Sequence, residues 1–252
     1  MPDLLTGLNP IQQQAVLQKD GPILILAGAG SGKTRVLTHK IAHLIGEGVD
    51  PGAILAVTFT NKAAGEMKER LQHLLSNESK GNPSKVPSWT GTFHATCSKI
   101  LRRNIHHLGF SNSFVIYDAG DQTDLIKEVM DELRIKPKED KVNPNAVRAT
   151  ISSAKNEMVG PQEYRKFANG YFYQKVADIY PLYQAKLRAN NALDFDDMLG
   201  LTLDLFATMP EVAQYYANLF HYIFIDEYQD TNKAQYMLIK RLAQGHGWRF
   251  LG

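Results

Sequence analysis

The stretch Ala27 to Thr34, A-G-A-G-S-G-K-T, constrains this chain more than any other. It follows an apolar run, Ile23 to Leu26, expected to be a strand, and precedes a helical pattern, Arg35 to Ile45. Strand, glycine-rich turn, Lys-Thr and helix is the context of a phosphate-binding loop. Gly28, Gly30 and Gly32 leave the backbone bare, so that N–H groups can converge on an anion, and they tolerate positive φ. The following helix adds its positive N-terminal end. Lys33 can reach outer phosphates, and the Thr34 hydroxyl can bind a magnesium ion. The generic pattern opens with Gly; here that position is Ala27.

A second anchor lies at His221 to Asp230, H-Y-I-F-I-D-E-Y-Q-D. Tyr222 to Ile225 reads as a strand buried on both faces, with Asp226 and Glu227 at its carboxyl end. Beside a phosphate loop, Asp226 can hold magnesium through its water shell, and Glu227 can accept a proton from attacking water. Between the anchors, Ile54 to Phe59 is a further apolar strand, so strand, helix and strand imply a right-handed parallel crossover. A helix follows from Thr60 to Arg70, and a short strand from Trp89 to Thr92. T-F-T-N and G-T-F-H place polar and aromatic residues at carboxyl strand ends, where parallel sheets bind ligands. Ahead of the loop, Leu8 to Val16 reads as a helix capped by Asn9 with Pro10 in its first turn. Its glutamines lie close enough in sequence to the loop for an amide to meet a purine edge, offering a donor and an acceptor together.

From Ser113 the pattern turns helical: about 121–134, 145–157, 161–168, 172–189 and 195–208, punctuated by Pro137, Pro144 and Pro161. This is expected to be an insertion within an α/β domain. Its aromatics (Tyr164, Phe167, Tyr171, Phe172, Tyr173, Tyr180, Tyr183) suit a small core of their own, or a platform for stacked bases. L-D-F-D-D, Leu193 to Asp197, invites a metal, but a helix N-terminus also wants carboxylates, and Asp194 is expected to cap. Lys99, Arg102 and Arg103 form a basic cluster that reads as a solvated face. Ser76 to Pro87 reads as a surface loop. A final strand is expected over Trp248 to Leu251.

Composition narrows the classes. Net charge is only +2, so a nucleic-acid reading must rest on local patches. The single cysteine, Cys97, excludes an internal disulfide and a cysteine-based zinc site, and fits a reducing cytoplasm. No apolar run approaches the roughly 18 residues of a membrane span, and the N-terminus carries no export pattern.

Taken together, the ordered blocks resemble the N-terminal part of a UvrD/Rep/PcrA-type superfamily 1 DNA helicase. They are L-N-P-I-Q at 8–12, A-G-A-G-S-G-K-T-R at 27–35, A-V-T-F-T-N-K-A-A at 56–64, T-G-T-F-H at 90–94, L-D-F-D-D at 193–197 and D-E-Y-Q-D-T-N at 226–232. That family also begins its loop with Ala, as Ala27 does. The resemblance implies an α/β fold, a P-loop NTPase (RecA-like) parallel sheet flanked by helices. Residues 1–110 and 200–252 would form the core and 111–199 a helical subdomain on the duplex side. It implies ATP and Mg2+ as ligands, and single-stranded and duplex DNA as partners, in bacterial repair or replication. Residues Ala27, Gly28, Ala29, Gly30, Ser31 and Gly32 would line the nucleotide, with Lys33 and Thr34 on phosphates and magnesium. Gln12 would read adenine, Arg35 would lie along the base, and Arg70 would reach the γ-phosphate. Asp226 would bind magnesium, Glu227 would be the general base, and Gln229 would couple the nucleotide site to DNA. Thr58, Phe59, Asn61, Thr92 and His94 would touch single-stranded DNA.

The family's next motif, beginning G-D, is expected to start at Gly252 and is not in the sequence, nor is a second RecA-like domain. On that comparison the chain is expected to be a fragment that binds ATP·Mg2+ and single-stranded DNA weakly, with little or no turnover alone. The alternative is another phosphate-loop enzyme, such as a small-molecule kinase. Such an enzyme needs an arginine-bearing lid, whereas Arg134, Arg148, Arg165 and Arg188 are widely spaced.

Overall fold

The computed structural model describes residues 4–19, 21–28, 30–76 and 86–244, and the backbone at 250–251. Ala29, Trp248, Gly252 and most of the expected surface loop lie outside the described residues. In chain order the elements are α1 (Pro10–Leu17), α2 (Lys33–Gly46), β1 (Ile54–Thr58), α3 (Asn61–Ser76), β2 (Trp89–Thr92) and α4 (Phe93–Asn104). There follow β3 (Val115–Ile116), α5 (Ala119–Glu132), α6 (Pro144–Asn156), α7 (Pro161–Phe167), α8 (Tyr171–Ala189), β4 (Ala192–Leu193) and α9 (Phe195–Thr208). The last are α10 (Pro210–Leu219), β5 (Tyr222–Ile225), α11 (Lys233–Ala243) and β6 (Phe250–Leu251). Among the described residues no helix is long and apolar enough to cross a membrane.

The chain divides into two compact units, Met1–Thr96 with Pro210–Thr231 and Ile239–Gly252, and Cys97–Met209 with Asn232–Leu238. The first is built on a parallel sheet of order β2-β1-β5-β6. A strand covered on both faces reads as a continuous apolar run, and β1 and β5 do. Ile54 and Ala56 of β1 pack with Leu37 and Ile41 of α2, Met67 and Leu71 of α3, and Phe224 of β5. Leu55 and Val57, pointing to the opposite face, are equally buried. Trp89 of β2 meets Tyr216 of α10 and Phe220 edge-on, with centroids 5.9 and 5.1 Å apart.

Register aligns the carboxyl ends of the strands. Thr58 pairs with Thr92, and Val57 with Ile225. The residues that follow, Phe59-Thr60, Phe93-His94 and Asp226-Glu227, therefore emerge side by side on one sheet edge.

The run Ile23 to Leu26 departs from its expectation. Only a single bridge forms at Ile23, and the rest joins no ladder. Ile23 and Ile25 pack inward, whereas Leu24 is 62% and Leu26 85% exposed. The side chains alternate as in a strand, with one face covered and the other exposed. Helix α10 was not anticipated. Its signal was Pro210 at the first turn with Val212, Ala213, Tyr216 and Ala217 at helical spacing, and these are its buried residues.

The second unit is mostly helical around Ile126, Val129, Val147, Ile151, Val176, Ile179 and Leu187. Strands β3 and β4 pair in parallel, Val115 with Ala192. The aromatics divide: Tyr180 and Tyr183 are core, Tyr164 and Phe172 pack against it, and Phe167, Tyr171 and Tyr173 are exposed. Lys99, Arg102 and Arg103 are exposed, as a solvated face requires, and Arg102 in addition lies 3.8 Å from the Phe114 ring centroid and donates to the Phe114 carbonyl at 2.6 Å.

Asp194 caps α9, accepting from Asp197 N–H at 2.9 Å, while Asp197 bonds back to the Asp194 N–H at 3.1 Å. The two carboxylates hold a lysine rather than a metal: Lys155 Nζ is 2.6 Å from Asp194 and 2.7 Å from Asp197. Asn156 Nδ2 donates to Asp196 at 2.9 Å, and Asn232 Nδ2 donates to Asn156 Oδ1 at 2.5 Å.

Candidate nucleotide site

The turn into α2 is set by glycine. Gly32 is the helix N-cap with φ +88°, and Gly30 has φ +74°, both in the left-handed region. A Cβ on Gly32 would also come 3.2 Å from Gln12 Nε2. The first amides of α2 have no acceptor within the helix, so its N-terminus is suited to an anion.

Side chains close around that turn. Lys33 Nζ donates to the Ala27 carbonyl at 3.1 Å and lies 3.5 Å from that of Gly28. Ser31 Oγ donates to the Gly28 carbonyl at 2.6 Å. Thr34 Oγ1 donates to Asp226 Oδ2 at 2.9 Å, joining residues 192 apart in sequence. Asp226 is held at the end of β5 by its own N–H, bonded to the Val57 carbonyl at 3.0 Å. Burial raises the Asp226 carboxyl above the ordinary aspartate value; the Thr34 hydroxyl acts in the opposite direction, and the neighbouring Glu227 charge adds to the rise.

A cleft of about 670 Å³ is lined by Ala27, Gly30, Gly32, Lys33, Thr34, Arg35, Arg70, Glu227 and Gln229. That volume suits a nucleotide-sized ligand. Residues from α2, α3 and the turn after β5 thus share one wall system. Glu227 adopts φ 54°, ψ 46°, a left-handed conformation unusual for a glutamate. Its Oε2 accepts from Gln229 Nε2 at 2.5 Å. Arg70 Nη2 is 3.9 Å from Glu66, one helical turn away. Arg35 reaches towards Gly7, where an added Cβ would lie 2.9 Å from its Nη2.

Gln12 belongs to α1. Its Oε1 accepts from Asn9 N–H at 3.0 Å in a capping box, and its Nε2 donates to the Ser31 carbonyl at 3.0 Å. The loop and the α1 amide are therefore directly bonded.

The remaining sequence candidates lie on the sheet edge. Phe59 is half-buried and its ring sits 5.6 Å from that of Phe93. Asn61 is exposed at the start of α3, and His94 is half-buried in the first turn of α4. Thr58 and Thr92 are buried, and Thr92 Oγ1 accepts from Ala95 N–H. Thr60 caps α3, accepting from Ala63 N–H at 3.1 Å. Sequence reading passed over His39, which bonds the Leu4 carbonyl, and Lys40, which bonds carbonyls at the end of α1. Nothing in their spacing singled them out on a helix that is buried over most of its length.

Hard oxygen donors at Thr34 and Asp226 suit magnesium, which takes few protein ligands and keeps water and phosphate oxygens. Among the described residues no group of three or more His, Cys, Asp or Glu converges on a metal position, so an all-protein metal cage does not form there.

Comparison with known proteins matches the sequence to a family of helicase domains. The family model described as UvrD/REP helicase N-terminal domain matches residues 8–251. The chain is 52% identical over 242 residues to the ATP-dependent DNA helicase PcrA of Bacillus subtilis (strain 168), covering 96% of this chain and 32% of that relative. It is 49% identical over 241 residues to PcrA of Staphylococcus aureus (strain COL), covering 95% and 32%. It is 48% identical over 241 residues to PcrA of Staphylococcus epidermidis, again covering 95% and 32%. The chain thus spans about a third of the length of the curated relatives it matches. By the extent of that match, the chain belongs to the UvrD/REP helicase N-terminal domain family.

Proposed function

We propose that this chain is the ATP-binding, single-strand-facing part of an ATP-dependent DNA helicase. The observation that carries the reading is the Thr34–Asp226 hydrogen bond. It joins the glycine-rich loop to the acid after β5 at the carboxyl edge of a parallel sheet. Names of the longer PcrA relatives add ATP dependence and DNA as the substrate class.

Each side chain then has a task. Lys33 leaves the carbonyls of Ala27 and Gly28 for the β- and γ-phosphates. Backbone around Gly28, Ala29, Gly30, Ser31 and Gly32 cradles them. Thr34 and Asp226 hold Mg2+, which when bound neutralises phosphate charge. The Gln12 amide reads the adenine edge, Arg35 lies along the base, and Arg70 reaches the γ-phosphate. Glu227 accepts the proton of the attacking water once Gln229 releases its carboxylate; the Gln229 bond is one reason to expect little turnover from the chain alone. Phe59, Asn61 and His94 face single-stranded DNA, with Thr58 and Thr92 shaping the turns that present them. Residues 111–199 are the inserted subdomain, facing duplex DNA, between core portions 1–110 and 200–252.

An oligothymidylate titration tests the DNA side. Binding is expected to weaken steeply with salt. Phe59→Ala is expected to remove about 1–3 kcal/mol of stacking. No measurable binding, or binding indifferent to both salt and Phe59, would count against this face.

A further inference from the structure

Helix α1 carries Gln12 yet has little apolar packing of its own. Val16 is its one buried residue, in a small cluster with Leu8 and Val36. Polar pins hold it instead. Gln13 Nε2 donates to the carbonyls of Leu5 and Leu8 at 3.2 and 3.0 Å. His39 Nδ1 meets the Leu4 carbonyl at 2.7 Å, tethering the segment that leads into α1 rather than the helix itself. The next residue of α2, Lys40, is 2% exposed and donates to the Val16 carbonyl at 2.7 Å and to the Gln18 carbonyl.

Those two acceptors belong to the last turn of α1 and its C-cap, where carbonyls lack partners within the helix. An ammonium there satisfies them and complements the negative helix end. Val16 lies one helical turn beyond Gln12, so whatever fixes the Val16 carbonyl fixes where the Gln12 amide stands. Gln12 Oε1 and Nε2 already hold Asn9 and Ser31, and each has capacity for one more bond, an acceptor and a donor together. An adenine edge, with its N7 acceptor and N6 donor, needs both in one orientation; guanine keeps the N7 acceptor but places an acceptor, O6, where adenine has its donor.

We propose that Lys40 is a positioning residue for base selection, acting through the end of α1 on Gln12. The inference rests on the reading of Gln12 as the adenine contact. Lys40 lies seven residues beyond Lys33, and the carbonyls it bonds are those at the end of α1, so its effect is expected on which base is accepted rather than on how tightly phosphates are held.

The test compares Mg-ATP, Mg-GTP and inorganic tripolyphosphate binding to the 252-residue chain and its variants. Gln12→Ala is expected to reduce the ATP-over-GTP preference, and Lys40→Met to reduce it by a similar factor, about three- to tenfold for one hydrogen-bonded contact in an open site. The double variant should lose no more than Gln12→Ala alone. Tripolyphosphate affinity should stay unchanged in Lys40→Met, and Lys40→Arg, which keeps donors for both carbonyls, should restore most of the preference. If Gln12→Ala lowers the preference but Lys40→Met does not, the role of Lys40 is refuted while that of Gln12 stands. If Gln12→Ala changes nothing, the adenine reading falls and the inference with it. A Lys40→Met protein that loses tripolyphosphate binding, or a Lys40→Arg protein no better than Lys40→Met, also overturns the proposal.

Discussion

Replacing Lys155 with methionine is expected to destabilise the helical unit by about 3–5 kcal/mol, the usual consequence of stranding buried charges. Its ammonium sits between Asp194 and Asp197, with all three side chains 7% exposed or less. Tyr183 Oη donates to Asp194 and Gln184 Nε2 to Asp197, each at 2.9 Å, so the carboxylates are fixed from several sides. Burial works against the Lys155 charge, but Asp197 and Asp194 outweigh it and hold its pKa above the ordinary lysine value. Burial likewise opposes the Asp194 charge, and Lys155 outweighs it, so Asp194 titrates below the usual range. Burial raises the Asp197 carboxyl, with the Asp194 charge adding to the rise and Lys155 opposing it.

The pH consequences follow from those directions. The Asp194 contribution is present above about pH 4 and is lost as pH falls through its lowered folded value. The Lys155 contribution is present below about pH 10 and is lost as pH rises through its raised folded value. Asp197, being raised, offsets part of the acid-side loss. Urea unfolding of the wild-type and Lys155→Met chains measures the effect. Adding Asp194→Asn and Asp197→Asn to Lys155→Met should recover part of the stability, because no carboxylate is then left without its cation. A Lys155→Met chain as stable as wild type would mean the triad is not holding this unit together.

Replacing Lys33 with alanine is expected to weaken Mg-ATP binding by about ten- to hundredfold, from the loss of about 1.5–3 kcal/mol of charge-assisted hydrogen bonding. In the structure Lys33 is half-buried and its ammonium is spent on the loop carbonyls of Ala27 and Gly28. Those are weak substitutes for a polyphosphate, so exchanging one for the other is favourable. Among the described residues the side chain joins none of the core clusters around α2, and the unfolding transition should move little. Fluorescent ATP-analogue titration reads the affinity, and circular dichroism checks the fold. Unchanged affinity in a folded Lys33→Ala protein would place the phosphates elsewhere.

Legibility from sequence followed the physics of each element. The glycine-rich turn, the β1 and β5 runs and the Asp226-Glu227 pair were readable because local chemistry dictates them: positive φ at Gly30 and Gly32, and continuous apolar residues in strands covered on both faces. The Asp194 cap was readable for the same reason, since its partner is three residues away. The Thr34–Asp226 bond spans 192 residues, and only the pairing of β1 with β5 together with the loop fixes it. Lys155 gave no signal at all. Its meaning arises only when α6 brings it to the head of α9, 39 and 42 residues away from its partners. The Ile23 to Leu26 run, with its single bridge at Ile23 and its exposed Leu24 and Leu26, shows the converse: an apolar run does not by itself say which backbone it pairs with or which faces are covered, because both are properties of the whole sheet.

The magnesium dependence of ATP binding tests the central claim most directly. If Thr34 and Asp226 together hold the ion, Mg2+ should tighten ATP binding to the wild-type chain. That gain should disappear in both Thr34→Val and Asp226→Asn, while metal-free ATP binding changes little. A wild-type chain indifferent to Mg2+, or variants that keep the full gain, would contradict the assignment of this site.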